Sequence, residues 1–206
     1  MPSTHKRSAP AQPKRRADAE RSVAAILDAA LEALAQDPEA SMAEIARRAG
    51  VVRATIYVHF PTREALIAAV TDRAMDEATQ ALQAAAPGQG EPTEALTRML
   101  TESWRILGPY HALVAINARL APERLRALHQ PVLRQLRPLL KRGQQSGAFN
   151  RELPIEWMLT VLLELIHAAS HEYSTKRLPA DKAEAALITS VLGALSPPQP
   201  QRSERR

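Results

Sequence analysis

Residues 41–60 read SMAEIARRAGVVRATIYVHF, and each residue type in this stretch has a steric task. Ser41 can cap a short helix, with Glu44 three residues on to complete a capping box. Ile45, Ala46 and Ala49 then form its inner face. Gly50 ends it, because a tight turn between two helices demands a positive φ. A second short helix follows, burying Ile56 and Phe60. Alanine at 46 lets the second helix cross closely, and Ile56 fills the angle between the two. The pattern predicts a helix-turn-helix, a motif whose second helix enters the major groove of DNA.

Outward from this stretch, nearly everything reads as helix. Ala, Leu, Glu, Arg and Gln dominate, and no segment alternates with period two for long. Val23, Ile26, Leu27, Ala30, Leu31 and Leu34 keep one helical face apolar over 20–35, with Pro38 just beyond the end. Residues 62–85 read as one helix after Pro61-Thr62, and Ala86-Pro-Gly-Gln-Gly-Glu-Pro92 is a loop signal. Gly108-Pro109, Ala121-Pro122, Pro131, the glycines at 143 and 147, and Pro154 divide the remainder into helices of ordinary length. The expected fold is all-α, with an N-terminal three-helix unit over 20–70 and a larger helical body over 71–196. A flexible basic arm (1–19) and a disordered tail (197–206) flank them.

With 206 residues, 45% of them hydrophobic, the chain can bury a sizeable core, which excludes disorder along its whole length. It contains no cysteine, which excludes disulfides, thiolate metal sites and cysteine nucleophiles. No apolar run reaches the ~18 residues of a membrane span, and the basic N-terminus lacks the apolar stretch of a signal peptide. The expectation is a soluble, cytoplasmic protein with no membrane partner. The net charge of +5 is unevenly spread. Residues 1–21 carry a net +4 and residues 197–206 a net +2, leaving −1 for 22–196. A basic arm beside a near-neutral body suits either DNA binding or a solubilising tail.

Three runs carry a family resemblance: Ile45-Ala46-Arg47-Arg48-Ala49-Gly50-Val51, Thr55-Ile56-Tyr57-Val58-His59-Phe60 and Arg63-Glu64-Ala65-Leu66. Unlike residue types in one order with fixed gaps resemble the N-terminal pattern of the TetR/AcrR transcriptional regulators, over about residues 20–70. The chain departs from that pattern at Val52, usually a capping serine, at Ala54, often glycine, and at Arg63, usually lysine. Losing the cap removes about 1 kcal/mol of local support. The resemblance implies DNA-binding roles for Ser41, Arg53, Ala54, Thr55, Tyr57, His59 and Arg63. Arg53, Ala54 and Thr55 open the recognition helix; an arginine there can read guanine O6 and N7, and Thr55 or Ala54 can pack on a thymine methyl. Tyr57 and His59 are expected at phosphate or sugar, with Ser41 and Arg63 holding phosphates at helix starts. Arg47 and Arg48 read as solvated helix residues, and the basic arm is a candidate for an adjacent minor groove.

Residues 155–171, IEWMLTVLLELIHAASH, are apolar almost all round, as a helix buried on two sides would be. One face in its own body and another against a second subunit would explain it. The final helix, 181–195, offers Ala183, Ala186, Leu187, Ser190, Val191 and Ala194 for close packing. The resemblance likewise implies a homodimer through residues 155–195, which suits a palindromic double-stranded operator. It also implies a small-molecule effector pocket in the body, for which Trp104, Tyr110, His111, Asn117, Met158 and His167 are candidates. Plain core packing is the competing account of each. The five aromatics outside the N-terminal unit are too few to favour a multi-aromatic cage for a quaternary cation.

Glu164-x-x-His167-x-x-x-His171 places three donors near one helical face, but Ala168 stands where a metalloprotease needs glutamate. A di-iron bundle needs a second Glu-x-x-His helix. No metal, cofactor or catalytic residue is therefore expected, and enzyme activity has little support. From Arg119 to Arg142 seven basic residues face Glu123 alone, a pattern open to a solvated face, an anionic effector's partner or a membrane-facing helix. The reading is a ligand-responsive, DNA-binding homodimer, a repressor released by its effector. A non-specific DNA-coating protein and a metal-dependent helical enzyme are the alternatives.

Overall fold

The computed structural model describes residues 12–117 and 120–198. Lys6 and Arg7 of the expected arm, Arg119, and the arginines of the tail at 202, 205 and 206 lie outside them. Among the described residues the elements are α1 (Gln12–Gln36), α2 (Met42–Arg48), α3 (Arg53–His59), α4 (Arg63–Ala84) and α5 (Pro92–Leu107). A 3-10 turn (Gly108–Tyr110), α6 (His111–Asn117), α7 (Pro122–Ser146), α8 (Ile155–Ser174) and α9 (Ala180–Leu195) complete them. The chain divides into two compact units, Met1–Val70 and Thr71–Arg206.

In the first unit α1 lies against α2 and α2 against α3. The inward face of α1 is Ile26, Leu27, Ala29, Ala30, Ala33 and Leu34, while Val23 and Leu31 are only half-buried. The face is thus turned towards the alanines, whose small side chains let another helix approach. Helix α1 also begins earlier than expected, so residues 12–19 belong to it rather than to an arm. Proline at position 13 sits in the first turn, where its missing N–H costs nothing. After α1, the Asp37 carboxylate accepts the Glu39 N–H at 2.9 Å and turns the chain towards α2.

The second unit is built on one apolar cluster. Leu96, Met99, Leu100 and Trp104 of α5 meet Leu133, Leu136, Leu139 and Leu140 of α7. Met158, Leu159 and Leu162 of α8 and Leu187, Val191 and Leu195 of α9 close it. Pro131 was expected to divide the chain; instead α7 runs through both Pro131 and Pro138. Each proline costs about 3 kcal/mol in a helix interior. Four buried leucines in this helix each contribute about 2 kcal/mol, enough to keep it continuous.

The end of α7 is locked by a close approach. Gly143 is buried, and a Cβ there would lie 2.0 Å from the Phe149 ring. The Phe149 N–H donates to the Gly143 carbonyl at 3.0 Å, and Asn150 N–H reaches Leu195 O at 2.8 Å. Gln144 Nε2 donates to the carbonyls of Asn150 and Leu153 at 2.8 and 2.7 Å. This hairpin sets where α8 begins relative to α7 and α9.

Two glycine variants separate two kinds of constraint. Gly50 has φ +67° with nothing within 4 Å of an added Cβ, so Gly50→Ala should cost about 1 kcal/mol of backbone strain. Gly143→Ala must displace a buried ring and should cost about 3 kcal/mol or more. Urea denaturation of both full-length variants checks the order; equal losses would contradict the role of the Phe149 contact.

Candidate DNA interface and ligand cavity

The first half of the helix-turn-helix is assembled by its caps. Ser41 has extended backbone (φ −79°, ψ 156°), and its Oγ accepts the Glu44 N–H at 3.2 Å. The capping box is only half formed. The Glu44 carboxylate turns instead to Arg47 at 2.7 Å and Arg48 at 2.8 Å, and these hydrogen bonds, Arg47 first, hold its carboxyl below the usual range. Arg48 also donates to Gln36 Oε1 at 2.8 Å, tying α2 to the end of α1. Both arginines thus serve the motif itself. The turn then closes as a Schellman motif: Gly50 N–H to Arg47 O at 3.3 Å and Val51 N–H to Ala46 O at 3.0 Å.

Val52 stands at the N-cap of α3 and makes no side-chain cap. Ile56 is fully buried and Phe60 nearly so, which anchors one side of the helix. The other side is open. Val52 is 70% exposed, Val58 77% and Tyr57 38%, with Arg53 and Ala54 also exposed and Thr55 and His59 half-buried. The Arg53 guanidinium lies 5.7 Å over the Tyr57 ring, so a cation and an aromatic are presented together. Val52 and Val58 were not among the expected contacts. Their signal was present in the sequence, since neither valine has a cap or a core to serve.

Arg63, expected at a phosphate, also makes contacts within the chain. Its Nε donates to the Ala40 carbonyl at 3.3 Å and its Nη2 to the Pro38 carbonyl. It satisfies loop carbonyls before α2 and so braces the start of the motif; Ser41 keeps its hydroxyl proton free to donate.

The second unit contains a narrow cavity of about 60 Å³. Thr71 and Met75 of α4, Tyr110, Asn117 of α6, His129 and Leu133 of α7, and Ile166 and His167 of α8 are among its walls. One ordered water needs on the order of 10–15 Å³, so a drug-sized ligand enters only if these walls move. Of the six expected pocket residues, Tyr110, Asn117 and His167 line the cavity. Trp104, His111 and Met158 do not. The Trp104 and His111 rings meet at a tilt of 49° with centroids 4.7 Å apart, and both pack on Tyr173. Met158 is fully buried in the main cluster. His129 was missed; a lone histidine in a basic helix carries no sequence signal for a cavity.

The polar groups of the cavity are satisfied in part. Tyr110 Oη donates to Glu77 at 2.8 Å, and burial first, then that contact, pushes its phenol up. Asn117 Nδ2 donates to Thr71 Oγ1 at 3.1 Å. His129 Nδ1 lies 2.8 Å from Leu125 O, and its ring meets that of His167 edge-on at 5.2 Å. Burial lowers the pKa of both, that of His167 to about 4 with a further contribution from His129.

The basic stretch of α7 faces away from this chemistry. Arg126 and Arg137 share Glu156, and Arg142 donates to the carbonyls of Pro87, at 3.0 Å, and Gly88. Arg124, Arg134 and Lys141 are exposed. No described residue of this stretch other than His129 and its apolar neighbours lines the cavity. Glu164 and His171 are exposed, while His167 is turned to the cavity. Among the described residues no group of three or more His, Asp or Glu is placed to hold a metal ion, and no helix is long and apolar enough to cross a membrane.

A helix-turn-helix with an open recognition helix, joined to a helical unit with its own cavity, defines a DNA-binding transcriptional regulator. Residues 26–70 match the family described as bacterial regulatory proteins, tetR family. The HTH-type transcriptional repressor LfrR of Mycolicibacterium smegmatis is 30% identical over 177 residues, 85% of this chain and 91% of that protein. The regulator NfxB of Pseudomonas aeruginosa is 29% identical over 140 residues, 66% and 73% of the two chains. The crystal structure of LfrR from Mycobacterium smegmatis in complex with proflavine aligns with a TM-score of 0.67 at 27% identity, covering 87% of this chain and 99% of that one. The chain belongs to the TetR family.

The buried imidazoles predict acid lability. His111, 4% exposed, has its pKa lowered to about 4 by burial, against about 6.5 when unfolded. Above 6.5 it is neutral in both states and costs nothing. As pH falls towards 4 the unfolded chain takes the proton and the folded one does not, so roughly 3 kcal/mol is lost. His167 acts in the same direction. Urea midpoints should fall between pH 7 and 4, less steeply in His111→Phe; an unchanged slope would contradict the assignment.

Proposed function

We propose that this protein is a homodimeric cytoplasmic repressor that holds a palindromic operator through residues 41–60 and leaves it when a small molecule occupies the cavity. The observation that carries the reading is the open side of α3. Arg53, Tyr57 and Val58 of a seven-residue helix, with Val52 at its N-cap, are presented to solvent, and the opposite side is anchored by Ile56. Exposed apolar side chains in such a cluster mark a contact surface. Arg53 suits a guanine edge, and Ala54 and Thr55 suit thymine methyls. Tyr57 and His59 suit the sugar-phosphate backbone, as does the Ser41 hydroxyl beside the N-terminus of α2. Arg63 supports these contacts by holding the loop that precedes Ser41.

The partner surface for a second copy is read from α8 and α9. Ala183, Leu187 and Val191 face the core, which leaves Ala186, Ser190 and Ala194 exposed, with Trp157 of α8 56% exposed. Small residues on one helix and an uncovered tryptophan on the other suit close packing against a twin. Two recognition helices held by one dimer read two half-sites about one helical turn apart. An effector that prefers a dimer with mis-spaced recognition helices shifts the population away from the operator by its differential affinity. LfrR, the most similar of the relatives above, is a repressor and has been crystallised with proflavine, which supports both repression and a small-molecule effector.

Two variants test the two halves. Tyr57→Ala should weaken operator binding about 10- to 100-fold, as loss of one to three kcal/mol of contact requires, while leaving a dimer. Unchanged binding in a gel-shift titration would remove Tyr57 from the interface. Gly193 is exposed with nothing within 4 Å of an added Cβ, so Gly193→Arg should leave the protomer folded and make it monomeric by light scattering. A dimer that persists would place the partner surface elsewhere.

A further inference from the structure

The cavity has walls of a particular chemistry. Among the described residues no lysine, arginine, aspartate or glutamate lines it. Two carboxylates lie outside the lining: Glu77, which already accepts the Tyr110 hydroxyl, and the exposed Glu164, which acts electrostatically on His129. The basic residues of α7 are spent on Glu156 and on loop carbonyls or stand exposed. An anion would enter without a cation in the walls to meet it, and a cation without a carboxylate in them. Burying an unpaired charge costs far more than apolar contacts return.

Among the polar groups of the walls, the His129 imidazole carries the clearest hydrogen-bond assignment. A carbonyl can only accept, so the 2.8 Å contact between His129 Nδ1 and Leu125 O places the proton on Nδ1. Neutral imidazole then has a bare lone pair on Nε2, and burial keeps the ring neutral. His167, edge-on at 5.2 Å, is neutral as well. The wall therefore offers an acceptor on a neutral ring; Glu164 acts on that ring from outside the lining.

We infer that the cavity takes an uncharged hydrophobic molecule that donates one hydrogen bond to His129 Nε2, the chemistry of an alkylphenol. This rests on reading the cavity as the effector site. The aliphatic walls, Met75, Leu133 and Ile166 among them, receive the alkyl part, and the imidazole receives the hydroxyl. Entry of the ligand spreads the walls that α4, α7 and α8 contribute, because the cavity is narrower than the ligand.

A matched series tests it by calorimetry on the full chain at pH 7.5: 4-pentylphenol, 4-pentylanisole, 4-pentylbenzoate and 4-pentylphenyltrimethylammonium. The phenol should bind about five- to tenfold tighter than the anisole, as one hydrogen bond requires, and tighter still than either ion. In His129→Leu the phenol and the anisole should bind alike. Equal binding of phenol and anisole by the natural chain, preference for either ion, or no binding by any member overturns the inference. The same four compounds added to the protein–operator complex separate the two readings. Selective phenol binding with the operator retained leaves the ligand class standing and overturns the effector role.

Discussion

The left-handed backbone at Gly50 is the constraint on which the first unit turns. With φ at +67°, the chain reverses within three residues, and the carbonyls at the end of α2 receive the N–H groups of Gly50 and Val51. That geometry directs α3 so that Ile56 is buried while Val52, Tyr57 and Val58 are not. Neighbouring interactions reinforce it from outside. Glu44 gathers Arg47 and Arg48, Arg48 reaches back to Gln36, and Arg63 holds the carbonyls of Pro38 and Ala40. Exposed ion pairs of this kind contribute little stability singly. Their value lies in orientation, because a recognition helix misplaced by an ångström loses its contacts.

In the second unit burial dominates local preference. Helix α7 keeps its course through two prolines because its leucines are buried in the common cluster. The contact between Gly143 and Phe149 then fixes its end. The same cluster leaves part of α8 and α9 uncovered, and leaves a cavity beside the His129–His167 pair. Packing, capping and charge thus produce three different surfaces from one all-helical chain: an open recognition helix, an unpartnered small-residue face and an uncharged cavity.

Much of this was readable from sequence where short-range chemistry decides. The Ser41 cap, the Gly50 turn and the buried Ile56 follow from steric requirements within twenty residues. Long-range competition hid the rest. The half-formed capping box depended on Arg47 and Arg48 drawing Glu44 away from the Ser41 backbone. The hydrogen bonds of Arg63 to the carbonyls of Pro38 and Ala40 were not foreseen, because nothing in its own segment announces them. Pro131 was read as a break because the burial that overrides it comes from α5 and α8. Trp104, His111 and Met158 were plausible pocket residues by type, yet tilted ring contacts and core burial hold them away from the cavity walls, whereas His129 reaches the cavity through a fold-level coincidence of α7 and α8.

Under the proposed function this regulator reads sequence through side chains on the open side of α3. Selection of genomic DNA fragments by the purified protein near physiological salt, with the bound pool sequenced, tests it most directly. One palindromic sequence should be enriched, with half-sites about one helical turn apart. A bound pool that matches the input, with affinity set by salt alone, would contradict it and make the protein a non-specific DNA-coating one.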